Sequence, residues 1–394
     1  MTLVFFLLAA SCAKSAGGGG GGNTNPNLAS ASISGLTVSR QNTNSNMRFY
    51  VNLSATSTSA ASVNYTTQDS TAHAGTDYLA ASGTLTIPAG QNEGYFDVTL
   101  IGDSLRQNPQ VFNVVLSSPV KCVLGTSEAS GVIINDGTYL PTNDSGYVSP
   151  TSYPGYTLAW SDEFTGSTLN PNNWNYEING NGEGNAELEY YTNRVQNLFL
   201  SQGNLIIEAR QESYSGANYT SARIDSYNHE SFTYGRVDIR AKLPVAQGMW
   251  PALWMLGNNI NTGTNWPGCG EADIMELIGT YPSRVTGSIH WLQGNGQEGT
   301  FNNNYNLTNG DFSQAFHVFS MIWTADSVQY LVDNQVYVQA SYTADITSGT
   351  NPFNSPFFFI FNVAVGGNWP GSPGAGTVFP QRMFVDYVRV FSQP

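Results

Sequence analysis

The chain has 394 residues, 12% aromatic and only 11% charged, with 41 glycines. That length exceeds one ordinary sandwich, and the mixture suits short strands, many turns and a polar, uncharged surface. Fourteen Lys and Arg against 28 Asp and Glu leave a formal charge of −14. Such a chain repels phosphate backbones, which excludes nucleic acid and favours a neutral polar polymer as partner.

The opening run Met1-Thr2-Leu3-Val4-Phe5-Phe6-Leu7-Leu8-Ala9-Ala10 reads as the apolar core of an export leader, too short to span a bilayer. Leu8-Ala9-Ala10-Ser11-Cys12 resembles a bacterial lipobox. That resemblance implies that Cys12 is lipidated and that the protein is an outer-membrane or cell-surface lipoprotein, and otherwise secreted. Membrane contact is then through this anchor alone. No Lys or Arg precedes the apolar run, which departs from the usual leader. With 1–12 as leader and lipobox, residues 13–31 read as a linker, since Gly17–Gly22 cannot hold a packed core.

Residues 32–137 read as a small β-sandwich. Short alternating segments at 47–53, 62–66, 83–87, 95–100, 111–116 and 131–134 are separated by turn residues. All eight tryptophans lie beyond this region, and five basic and seven acidic residues through Leu140 give way to nine and twenty-one afterwards. Two kinds of domain follow from that split. The first resembles a Calx-beta domain through Val63-Asn64-Tyr65-Thr66-Thr67, Ala74-Gly75-Thr76-Asp77-Tyr78, the run 82–90 and Gly131-Val132-Ile133-Ile134-Asn135-Asp136. Members of that family often bind calcium through clustered acids. Here Asp103-Ser104-Leu105-Arg106-Gln107-Asn108 puts Arg and amides where acids are expected, so a spacer or sugar-adhesion role is the reading.

Residues 138–155 form a Pro-, Ser- and Gly-bearing linker, and 156–394 read as a second all-β domain. Segments at 316–323, 328–332 and from Val336 onward alternate as hairpins, and no useful helical period appears. Two large antiparallel sheets are expected. Cys122 and Cys269 fall in different domains, so no disulfide is expected, and no Cys/His spacing indicates zinc.

The chemistry is concentrated in Glu271-Ala272-Asp273-Ile274-Met275-Glu276, three acids within an apolar strand pattern. Burying carboxylates costs several kcal/mol unless they are paired or protonated, so a plain structural strand would not carry them. Alternation places Glu271 and Asp273 on one face and Glu276 on the other. A single bulge after Asp273 would bring Glu276 round. Two carboxyls about 5–5.5 Å apart would then suit retaining glycoside hydrolysis. A cluster holding a divalent metal is the competing reading of three acids.

This segment resembles the bulged motif of glycoside hydrolase family 16. Around it stand Trp160-Ser161-Asp162-Glu163-Phe164, Glu187-Leu188-Glu189-Tyr190-Tyr191, Gly248-Met249-Trp250-Pro251-Ala252-Leu253-Trp254, Gly287-Ser288-Ile289-His290-Trp291, Asn362-Val363-Ala364-Val365-Gly366-Gly367-Asn368-Trp369 and Gln381-Arg382-Met383-Phe384-Val385-Asp386-Tyr387. The resemblance implies a β-jelly-roll sandwich with a concave substrate cleft. It implies Glu271 as nucleophile, Glu276 as acid/base and Asp273 as the assisting carboxylate. The expected activity is endo-acting, retaining cleavage of β-1,3-glucan, with mixed-linkage glucan as a second substrate, by a monomer needing no catalytic cofactor. Trp250, Trp254, His290, Asn185, Arg223, Asn362 and Trp369 are the expected sugar-binding residues, while His73, His229 and His317 read as structural.

A structural calcium is common in the family, and Glu163, Gly203 and Asp386 match its region. The run Gly182-Glu183-Gly184-Asn185-Ala186-Glu187-Leu188-Glu189 lacks a Trp and an Asn of the family's pattern, which alters the far end of the cleft. Galactan hydrolases such as agarases and carrageenases share the bulge. Sulfated substrates, however, favour more cationic residues than the nine present here. A non-catalytic glucan-binding surface protein is the other alternative, and such proteins lose the acids that this chain keeps.

Overall fold

A computed structural model describes residues 28–346 and 349–393. The apolar leader, Cys12 and the glycine run lie outside the described residues. Chain contacts divide the protein into two units, one built mainly from residues 43–102 and 109–134 and one from 135 onward.

The first unit is a two-sheet sandwich. Four strands run in the order Glu93–Leu100, Ser45–Leu53, Ser30–Ile33, Val123–Leu124. Five run in the order Leu36–Ser39, Glu128–Asp136, Arg106–Val120, Ala61–Asp69, Ser82–Ile87. Ser45–Leu53 shows why the sequence folds this way: Met47, Phe49, Val51 and Leu53 are buried while the residues between them are outside. The inner faces meet around Phe49, Tyr78, Phe96 and Phe112. All six segments expected from alternation are strands. The short strands Ser30–Ile33, Leu36–Ser39 and Val123–Leu124 went unread, and the first begins inside the stretch read as linker.

The second unit has a ten-stranded and a seven-stranded sheet. The larger follows the path Glu189–Tyr191, Ala217–Ser221, Asn204–Tyr214, Gln381–Ser392, Gly235–Lys242, His317–Trp323, Ser327–Val332, Gln335–Ser341, with Thr157–Asp162 also paired to Gln381–Ser392 and Leu198–Ser201 to Asn204–Tyr214. The smaller runs Asn175–Glu177, Arg223–Asp225, Phe357–Val365, Met249–Gly257, Glu271–Glu276, Arg284–Leu292, Glu298–Asn306. One apolar core joins them, with Val237, Ile239, Phe319, Tyr330 and Val388 from the larger sheet and Leu253, Met255, Ile274, Ile289, Phe359 and Phe361 from the smaller. Phe357–Val365 is buried at every position, as its near-continuous apolar sequence requires of the sheet's middle. Cys122 and Cys269 are buried and free.

Candidate active site

The Glu271–Glu276 strand lies between two others, and their pairing decides where its acids point. On one flank Leu256, Trp254 and Ala252 stand opposite Glu271, Asp273 and Glu276. On the other, His290, Ser288 and Thr286 do the same. Both flanking sets step by two residues and therefore occupy one face, whereas the acids step by two and then three. The extra residue is absorbed by a register shift between Asp273 and Glu276. Ala272, Ile274 and Met275 consequently point into the core, the last two consecutively. All three acids share the opposite face. Gly270, at φ +82, leads into the strand where a Cβ would lie 2.7 Å from Pro352 and 2.8 Å from Phe357.

Each glutamate accepts an indole N–H. Trp250 donates to Glu276 over 2.9 Å, and Trp266 to Glu271 over 3.0 Å. Asp273, 3% exposed, lies 3.2 Å from His290 Nε2, and Glu271 lies 3.9 Å from the same atom. The other ring nitrogen, Nδ1, meets Glu298 at 2.6 Å. Burial pushes the Glu271 carboxyl up to about 8, helped by the Asp273 charge and opposed by His290 and the Trp266 N–H. Burial, with Asp273 and Glu271 adding, pushes Glu276 well above its ordinary value. Burial draws the His290 imidazolium down, yet its carboxylate partners, Asp273 foremost, carry it up to about 10. Burial thus favours the protonated form of both glutamates, and His290 stands as the cation beside Glu271.

Ligand-capable atoms of Glu271, Asp273 and His290 lie within 4.8 Å of one another. Both His290 ring nitrogens already face carboxylates, Asp273 at 3.2 Å and Glu298 at 2.6 Å, so the three groups form one hydrogen-bonded charge cluster.

The expected sugar-binding residues are distributed around this centre. Trp250 and Trp254 are half-buried on the face bearing the acids, not in the core. Trp369, 42% exposed, meets Trp250 edge-on at 5.4 Å. Asn362 accepts from Trp254 at 2.9 Å and donates to Tyr191, whose hydroxyl donates to Glu187. Asn185 lies on an exposed loop whose carbonyl accepts the Asn368 N–H. Arg223 is buried and pairs with Glu177 at 2.9 Å and Glu183 at 3.3 Å, its guanidinium 5.0 Å from the Trp254 ring centre. It works as a pinned cation beneath an aromatic platform. His73, His229 and His317 lie beside Asp69, Asn175 and Asp333.

Two of the expected calcium ligands, Glu163 and Asp386, pair with arginine in this arrangement. Both Glu163 oxygens accept from Arg389, at 2.8 and 2.7 Å, and Asp386 accepts from Arg240 at 2.7 Å. Sequence reasoning missed Trp266 and Glu298. Trp266 comes from the irregular stretch before the strand, where no period marks it, and Glu298 from the next strand along.

Comparison with known proteins agrees with this geometry. Residues 185–389 match the model of glycosyl hydrolases family 16, and residues 30–138 match the Calx-beta domain. A beta-glucanase of Rhodothermus marinus is 41% identical over 246 residues, 60% of this chain and 86% of that one. Glucan endo-1,3-beta-glucosidase A1 of Niallia circulans is 39% identical over 266 residues, which cover 61% of this chain but only 38% of that relative. The solved laminarinase catalytic domain of Thermotoga maritima is 45% identical with a TM-score of 0.56, covering 61% of this chain and 99% of that one. With over half its length matched by the family model and the bulged acid strand in place, the chain belongs to glycosyl hydrolases family 16.

Proposed function

We propose that the protein is an endo-acting, retaining β-1,3-glucanase of the laminarinase kind, with mixed-linkage β-1,3-1,4-glucan as a second substrate. The observation that carries this reading is the bulge, which puts Glu271, Asp273 and Glu276 in successive rows of one face. The named activities of the Rhodothermus, Niallia and Thermotoga relatives support the substrate class.

The residues divide the work by charge. Glu271, on the His290 side of the row, attacks the anomeric carbon, while Glu276 gives its proton to the departing glycosidic oxygen. A covalent glycosyl ester on Glu271 results. Glu276, now a carboxylate, takes a proton from water; the hydroxide oxygen attacks the same carbon and frees Glu271. Asp273 and His290 hold compensating charge beside the nucleophile. The Trp250 N–H orients Glu276 and favours its anionic form after proton transfer. The indole faces of half-buried Trp250 and exposed Trp369 suit the apolar CH faces of glucose rings.

Reducing-sugar release from laminarin, lichenan, agarose and carrageenan tests the reading. Laminarin and then lichenan should be cut, with Glu271→Ser lowering turnover by about 10⁴-fold or more. Release from the galactans alone, or a Glu271→Ser variant as active as the parent, contradicts it. Export as a Cys12 lipoprotein rests on the leader sequence alone; palmitate label present in the parent and absent from Cys12→Ala checks it.

A further inference from the structure

The bulge that phases Glu276 needs a reason to stay where it is. A one-residue slip would turn that side chain to the other face of the sheet. Inserting a residue also leaves backbone groups without ladder partners, and buried ones must find others.

The inner side of the seven-stranded sheet supplies what is needed. Asp273 pairs with Ser288 and Glu276 with Thr286, so Ile274 and Met275 together face one residue, Gly287. Behind Gly287 stand two core tyrosines of the ten-stranded sheet, Tyr330 on Ser327–Val332 and Tyr337 on Gln335–Ser341. The Tyr337 hydroxyl donates to the Ile274 carbonyl, the residue at the bulge, over 2.7 Å. The Tyr330 hydroxyl donates to the carbonyl of Ser288, next to Gly287, over 3.0 Å. A Cβ at Gly287 would lie 2.5 Å from the Tyr337 hydroxyl and 2.6 Å from the Tyr330 ring. Only glycine lets the tyrosines come this close. The three features share one location: an extra residue, a missing side chain opposite it, and a buried donor reaching its displaced carbonyl.

We infer that Gly287 and Tyr337 form a lock that fixes the bulge, making Tyr337 a positioning residue for Glu276. Neither touches the face that would carry substrate. Tyr337 acts through the backbone, by holding the Ile274 carbonyl so that the strand resumes alternation with Glu276 outward. Tyr330 braces the opposing strand through the Ser288 carbonyl.

The role deepens the proposed activity and rests on it for the kinetic readout only. Tyr337→Phe keeps the ring and removes the donor. A 1 Å misplacement of a catalytic group costs up to about 100-fold, so a loosened bulge should lower kcat roughly tenfold with KM within about twofold. Amide exchange at Ile274, Met275 and Glu276 should quicken, while that of Phe357–Val365 stays slow. Tyr387→Phe, which removes a buried hydroxyl bonded to Ser149, should lower thermal stability similarly and change neither. Gly287→Ala should reproduce the kcat loss by pushing the Tyr337 hydroxyl off its acceptor.

Folded Tyr337→Phe protein with unchanged kcat and unchanged exchange overturns the lock; so does Tyr387→Phe showing the kcat loss and quickened bulge exchange expected of Tyr337→Phe. A measurement on the parent needs neither variant nor activity. Bulge amides exchanging only with global unfolding support the lock, and amides opening independently of the sheet around them contradict it. An inactive parent with protected bulge amides would count against the glucanase reading and leave the lock standing.

Discussion

The central strands of the two sheets in the second unit hold their acids in opposite ways. On the central strands of the ten-stranded sheet the buried Asp238 and Glu208 both meet arginine, whereas Glu189 on its edge strand accepts the Val365 N–H. Asp238 accepts from Arg236 at 2.8 Å, with Tyr153 and Ser320 adding hydrogen bonds, and Glu208 accepts from Arg210 at 3.0 Å and Arg382 at 2.6 Å. On the seven-stranded sheet Glu271 and Glu276 meet indole N–H groups, and one histidine serves the cluster. Arginine cannot lose its proton, so the first arrangement fixes charge permanently. Indole and imidazole leave the carboxyls free to exchange protons. The first arrangement holds structure together and the second is available for chemistry.

Breaking the paired side should affect stability alone. Arg236→Leu leaves Asp238 buried without its cation, and a loss of about 3 kcal/mol is expected in denaturant unfolding. The kcat of the folded fraction should not change; a large fall in kcat would mean that the two sheets do not divide their roles this way.

Breaking the other side should affect turnover first. Trp250→Phe keeps an aromatic face and removes the donor to Glu276. Steady-state kinetics should show kcat down roughly tenfold, about 1.4 kcal/mol in the barrier, at nearly constant melting temperature. A change confined to KM would reduce Trp250 to a sugar platform.

The smallest effect concerns pH and stability. Glu276 has a folded-state pKa above its unfolded value, so the folded state binds the extra proton. Its neutral burial is harmless below about pH 4.5, and it increasingly disfavours folding as pH rises through the window where the unfolded carboxyl is ionised and the folded one is not. Glu276→Gln should therefore raise the melting temperature at pH 8 more than at pH 4. Equal shifts at both pH values would show that burial does not hold this proton.

Much of the site was legible because strand parity is a strong constraint. Three acids spaced two and three apart among apolar residues cannot share a face without a bulge, and the bulge lies where that spacing puts it. Trp250 and Trp254 follow from the same alternation. What stayed hidden depends on which chain segments meet across or beside the sheet. Trp266 reaches Glu271 from an aperiodic stretch, Glu298 reaches His290 from a neighbouring strand, and Tyr337 reaches the bulge through the core. The partners of the expected calcium ligands were hidden for a related reason. Resemblance located Glu163 and Asp386, but it carried no information that Arg389 and Arg240 occupy them. Ser30–Ile33 was missed because small polar residues give it little contrast with a linker.

The stereochemistry of the first product tests the central claim most directly. Proton NMR of laminarin digestion, followed before mutarotation, should show the β-anomer appearing first, because displacement by Glu271 and then by water inverts the anomeric carbon twice. First appearance of the α-anomer would mean a single displacement by water, and Glu271 could not then be the nucleophile on the shared face.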